Sequence, residues 1–176
     1  MNKMSSIDDN KVIIIDTAVI LHGVSFSRKD VIAAVSEEVI EEVRSTVPKL
    51  RLDQFLSNDL VQIRASTADS LKKAKNAATK TGDLPNLSKA DLSVIALAIE
   101  HDMLGMNTVV YTGDYAVQNV MKSLGINFKS VLNDGIKKVI KWKYKCIACG
   151  EIFNKSPIGE LCPECGTESM IRKIKA

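Results

Sequence analysis

No stretch of this 176-residue chain approaches the roughly 20 consecutive apolar residues that a membrane-spanning helix needs. Its first ten residues, MNKMSSIDDN, lack the apolar core of a secretory signal peptide. Cysteine is missing from the first 145 positions, so no disulfide framework runs through the body of the chain. Internal repeats and low-complexity tracts are also missing. Together these absences exclude membrane-spanning, disulfide-stapled and repeat architectures, and the expected setting is cytoplasmic.

The composition is that of an ordinary globular protein, 45% apolar and 26% charged, and the length suffices for one full domain with a small appendage. The net charge of +3 hides an asymmetry. Residues 137–176 hold nine Lys or Arg against four Glu, a net of +5, while the remainder holds 15 basic and 17 acidic residues, a net of −2. A basic tail on a slightly acidic body suits an anionic partner, nucleic acid first among them.

KVIIID (residues 11–16) is short, continuous and β-branched, the pattern of a strand buried on both faces of a parallel sheet. Between Arg28 and Ser45 the apolar residues Val31, Ile32, Val35, Val39, Ile40 and Val43 recur at helical spacing, which predicts one or two helices. LVQIRA (60–65) reads as a strand and STADSLKKAKNAATKTG (66–82) as an exposed helix closing on Gly82. In SKADLSVIALAIEHDM (88–103), Ser88 and Asp91 form an acidic variant of the capping box ahead of a helix apolar on nearly every side. NTVVYTGD, YAVQNVMKSLG and INFKSV then predict a strand, a helix and a strand. Strands alternating with helices imply an α/β domain, doubly wound around a mostly parallel sheet.

All four cysteines fall in the tail, in CIACG and CPECG, as Cys146, Cys149, Cys162 and Cys165, with 12 residues between Cys149 and Cys162. Two Cys-x-x-Cys-Gly knuckles at this spacing suit a closed, tetrahedral and therefore structural zinc site; iron in a rubredoxin-like site is the alternative. The metal would fold a β-rich piece too small to bury a sufficient core. Ahead of it, KKVIKWKYK offers Lys138, Lys141, Lys143 and Lys145 to phosphates and Trp142, the single tryptophan, to an unpaired base. Trp142 and Tyr144 can equally serve as cover for the zinc core.

The acids carry the rest of the chemistry. Asp16 interrupts an apolar run, where an unpaired charge is costly. Asp114 follows another strand, Asp91 opens the buried helix, and Glu41 or Glu42 lies on the helix after the first crossover. Ligands of open α/β sheets bind beyond the carboxyl ends of the strands. Each acid alone has an ordinary explanation as a cap or a solvated charge. A shared Mg²⁺ or Mn²⁺ accounts for all of them, Asp16 included. Two such ions about 4 Å apart activate water and stabilise a leaving oxygen in phosphodiester hydrolysis, which predicts a metal-dependent nuclease. His22 and His101 are incidental to such chemistry, and Ala18, two residues after Asp16, excludes an Asp-x-Asp phosphatase.

IIIDTAVIL, VIEEV, LSKADLSVIALA and VVYTGDYAVQNV, in this order, resemble the motifs of the PIN-domain nucleases. The four-cysteine ribbon and DYAVQNV narrow the resemblance to the Nob family of archaea and eukaryotes, over nearly the whole chain. It implies that Asp16, Glu42, Asp91 and Asp114 bind the catalytic metal, Glu42 being preferred to Glu41 because it precedes the aliphatic Val43. Thr112 becomes a supporting hydroxyl behind these ligands, while Gly113 stands where many PIN sequences carry a further Asp.

By the same resemblance the chain is an endoribonuclease that generates the mature 3′ end of small-subunit ribosomal RNA. Its partners are pre-rRNA, the small-subunit precursor and protein assembly factors, with no membrane. The implied division is a flexible N-terminus at 1–10, a PIN nuclease domain at 11–136, and linker plus zinc ribbon at 137–176. Two other readings compete: a toxin-type PIN ribonuclease cutting tRNA or mRNA, and a non-catalytic RNA-binding assembly factor. Retention of all four acids opposes the latter.

Overall fold

The computed structural model describes residues 11–23, 32–57, 61–132, 134–154, 161–168 and 171–175; the expected flexible N-terminus, 1–10, lies outside them. KVIII forms β1 (Lys11–Ile15), with Val12, Ile13, Ile14 and Ile15 all buried. It pairs in parallel with β2 (Ile32–Ser36) on one side and β4 (Asn107–Thr112) on the other. β3 (Val61–Arg64) and β5 (Asn127–Ser130) complete a five-stranded sheet of order β3-β2-β1-β4-β5 in which every pairing is parallel. All five strands therefore deliver their carboxyl ends to one edge.

Among the described residues six α-helices lie around them: α1 (Thr17–His22), α2 (Glu37–Glu42), α3 (Thr46–Ser57), α4 (Ala68–Thr81), α5 (Lys89–Met103) and α6 (Tyr115–Leu124). The capping box of α5 is present, Ser88 accepting the Asp91 amide while Asp91 accepts that of Ser88. Nine residues of α5, Ala90 and Leu92 through Ile99, are buried. At about 1.5–3 kcal/mol for each large aliphatic side chain removed from water, α5 anchors the core, and Asp91 on its first turn inherits that rigidity. Among the described residues no helix is long and apolar enough to cross a membrane.

Two elements depart from expectation. The stretch predicted to contain one or two helices holds α2 but also β2: Ala33, Ala34 and Val35 are buried in the sheet, and Ser36 ends the strand by capping α2. Small and β-branched residues in continuous burial satisfied a helical period by coincidence. α3 has no counterpart in the sequence reading, because Pro48 and a weak apolar stripe, buried only at Pro48 and Leu52, conceal it.

The tail forms an antiparallel sheet of order β7-β6-β8 from β6 (Trp142–Cys146), β7 (Ile152–Phe153) and β8 (Ile171–Lys175). It is docked against the larger unit. The Tyr144 hydroxyl donates to the Gly82 carbonyl at 2.7 Å, and Lys173 pairs with the buried Asp83 at 3.2 Å. Asn119 of α6 donates to Asp83 and to the Ile140 carbonyl, both at 2.6 Å, and accepts the Ile140 amide at 2.7 Å. Gly82 has φ +78, and a Cβ there would lie 2.9 Å from that of Trp142, so the left-handed turn and the close approach both call for glycine.

Candidate active site and four-cysteine cluster

Asp16 leaves the end of β1 and heads α1; its amide donates to the Tyr111 carbonyl of β4 at 3.1 Å. Its side chain is only 5% exposed. The Thr112 hydroxyl, at the end of β4, donates to the Asp16 carboxylate and accepts the Asp114 amide at 3.0 Å. Asp114 caps α6 by accepting the amides of Ala116 and Val117. Asp91 is fixed by the Ser88 amide at 2.8 Å, and Glu42, last in α2, accepts the Thr17 hydroxyl at 3.0 Å. Each carboxylate is thus oriented by a protein donor at the carboxyl edge of the sheet or on a helix beside it.

Their electrostatics reveal proximity. Burial pushes the Asp16 carboxyl up to about 6; the Thr112 and Thr17 hydrogen bonds act against this, and the charges of Asp91 and Asp114 reinforce it. Asp91 is raised by burial as well, with Asp114 and Glu42 adding to the effect against its bonds to Ser88. Among the described residues no Lys or Arg forms an ion pair with Asp16. Four mutually repelling acids with this environment, all hard oxygen donors, fit a divalent cation of the Mg²⁺ or Mn²⁺ type. Unlike the four cysteines, their ligand atoms do not form a single tight cluster among the described residues. Gly113 leaves little space for a further ligand: a Cβ there would lie 2.6 Å from Leu132 and 3.2 Å from Ala18.

The four cysteine sulfurs all lie within 4.8 Å of one another. Cys146 and Cys165 approach to 3.7 Å, and Cys149 and Cys162 to 3.8 Å. These separations are too long for disulfides and match the edge of a tetrahedron about a metal with bonds of about 2.3 Å, which is about 3.8 Å. The Thr167 hydroxyl and amide hold the Cys165 thiol down to about 6, whereas at Cys149 the bond from the Glu151 amide is outweighed by burial and the neighbouring sulfurs, which push that thiol up to about 12.

Lys138, Lys141 and Lys145 are exposed, Lys143 half-buried. Trp142 is half-buried too, with the Lys173 ammonium 4.4 Å from its ring centroid. Tyr144 touches Gly82 rather than only closing over the cysteines. Sequence reasoning missed the Asp83–Asn119–Lys173 contacts altogether, since no local pattern joins positions so far apart.

A parallel sheet with an acid at the end of its central strand and further acids around it defines a class, the PIN-domain ribonucleases, and the family described as "PIN domain of ribonuclease" matches residues 13–100. Endoribonuclease Nob1 of Pyrococcus abyssi is 38% identical over 155 residues, covering 88% of this chain and 89% of the relative. Endoribonuclease Nob1 of Methanocaldococcus jannaschii is 30% identical over 166 residues, covering 94% and 80%. The chain belongs to the Nob1 family of PIN-domain endoribonucleases. Ribonuclease VapC1 of Thermoplasma acidophilum is also similar, 32% identical over 173 residues with 93% and 84% covered; that match reaches into the cysteine-bearing tail. The chain is therefore a nuclease acting on RNA.

Proposed function

We propose that this endoribonuclease cleaves precursor small-subunit ribosomal RNA to produce its mature 3′ end, in the cytoplasm, on particles carrying other assembly factors. The observation that carries the reading is Asp16, a buried carboxylate at the end of the central strand, surrounded by acids. Asp16, Glu42, Asp91 and Asp114 hold Mg²⁺ or Mn²⁺, and Thr112 keeps Asp16 aimed. The bound ion supplies counter-charge to the scissile phosphate and makes water a stronger nucleophile. The oriented carboxylates would hold that ion at the edge of the sheet, and hydrolysis leaves a 3′-hydroxyl on the rRNA and a 5′-phosphate on the released fragment. Zinc, held by Cys146, Cys149, Cys162 and Cys165, folds a ribbon within residues 137–176, whose Lys138, Lys141, Trp142, Lys143 and Lys145 hold RNA beside the nuclease domain of residues 11–136.

The similarity to Ribonuclease VapC1 supports a second reading, cleavage of tRNA or mRNA. End-mapping after incubation with an RNA spanning the small-subunit 3′ end, with tRNA and mRNA as competitors, separates the two. Cutting at the mature end in preference to the competitors is expected; preference for a competitor overturns the rRNA assignment.

A further inference from the structure

A cleft of about 730 Å³ opens between α4, α6 and the linker. Lys73, Asn76 and Lys80 line its rim from α4, Ser123 from α6 and Lys141 from the linker, over an apolar floor that includes Ile99 of α5 and Leu124; among the described residues no acid and no aromatic residue lines it. Lys73 shares an exposed pair with Asp69 at 2.7 Å, the kind of contact an incoming anion opens at little cost. Among the described residues Lys80 and Lys141 have no ion pair.

The cleft is composite, and the docking contacts hold its linker wall in place. Asn119 grips both backbone polar groups of Ile140, between Val139 and Lys141. The same Asn119 donates to Asp83, which takes Lys173 of β8. Asp83 is 2% exposed, so this ion pair joining the two units is shielded from water.

We propose that the cleft binds the sugar–phosphate backbone of the substrate RNA, and that Asp83 is the positioning residue that completes it by docking the linker. The inference rests on the RNA-cleaving reading above. Lysines of one sign, with Asn76 and Ser123 as hydrogen-bonding partners, suit phosphates. The lack of a ring for stacking argues for backbone rather than base contacts.

The test uses labelled RNA spanning the small-subunit 3′ end, full-length protein in an Asp16→Asn background, and fluorescence anisotropy across a KCl series. Lys80→Gln, on an exposed side chain, lowers affinity about 3- to 10-fold and makes the slope of log affinity against log salt shallower by about 1. Lys49→Gln on α3, an element outside the cleft, makes the same charge change and sets the baseline. Asp83→Asn, and the milder Tyr144→Phe, weaken RNA binding while zinc content stays unchanged, and shift the Trp142 emission to longer wavelength.

If Lys80→Gln and Lys49→Gln are indistinguishable, the RNA backbone does not use the cleft and its lysines are left for an acidic protein partner. If Asp83→Asn and Tyr144→Phe bind RNA as the baseline does, the positioning role falls. Cleavage by the Asp16→Asn protein at the wild-type rate, assayed separately, would sink the catalytic reading without touching these measurements, which report binding alone.

Discussion

Thr112 donates its hydroxyl proton to Asp16 across 96 positions of sequence, and the same oxygen accepts the amide of Asp114. One fully buried side chain thereby ties the ends of β1 and β4 to the start of α6. The two acids proposed to share a cation are thus held in fixed positions.

Thr112→Val keeps the shape and removes the hydroxyl. The Asp114 amide and the buried Asp16 carboxylate then lose a partner, which costs about 1–3 kcal/mol of stability. Disorienting the ligands lowers metal affinity and cleavage about 10- to 100-fold. Urea denaturation together with Mn²⁺ titration checks this; a variant cleaving at the wild-type rate would show the bond to be incidental.

The raised Asp16 carboxyl predicts a pH dependence of the metal-free protein. A carboxylate whose folded pKa, about 6, exceeds its ordinary value of 3.8 contributes most stability when protonated, and that contribution is lost as pH rises through about 6. Without divalent ions, melting temperature should therefore fall from pH 5 to pH 7, and Asp16→Asn should flatten the profile and stabilise the protein at pH 7. Added Mn²⁺ should raise the melting temperature more at pH 7 than at pH 5, because protons compete for the same oxygens. Equal stabilisation at both pH values contradicts the assignment.

Cys162, like Cys146, is buried within the four-cysteine cluster. Cys162→Ser should release the metal and unfold the small sheet, and Trp142, freed from Lys173 and Gly82, should emit at longer wavelength. Far-ultraviolet circular dichroism should keep its helical signal, since among the described residues every α-helix belongs to the larger unit. Loss of that signal would mean that the larger unit depends on the cluster.

Ser88→Ala removes half of the capping box that holds Asp91. A cost of about 1 kcal/mol is expected, with a drop in metal affinity that exceeds what the stability loss explains. An affinity unchanged within error would detach Asp91 from the metal.

The sheet was legible where strands are continuous and β-branched, as in KVIII, and α5 where capping and burial agree. β2 was hidden because Ala33 and Ala34 favour helix over strand by local propensity, so only the tertiary setting reveals the strand. Thr-Gly-Asp occurs twice, at 81–83 and 112–114, with different fates. At 112–114 it ends a strand and presents Asp114 beside Asp16. At 81–83 it ends α4 with Gly82 in the left-handed region and buries Asp83 against Lys173. The second role depends on a partner 90 residues away, which no local pattern encodes. The acids were legible because Asp16 contradicts its own surroundings, whereas the docking contacts contradict nothing in the sequence.

The most direct test of the central claim pairs Mn²⁺ binding, followed by electron paramagnetic resonance, with RNA cleavage for the wild type and for Asp16→Asn, Glu42→Gln, Asp91→Asn and Asp114→Asn. Weaker Mn²⁺ binding and slower cleavage in every variant, most severely in Asp16→Asn, with melting temperatures at or above those of the metal-free wild type, is the predicted result. Wild-type cleavage by Asp16→Asn, or cleavage that persists after divalent ions are removed, would contradict it.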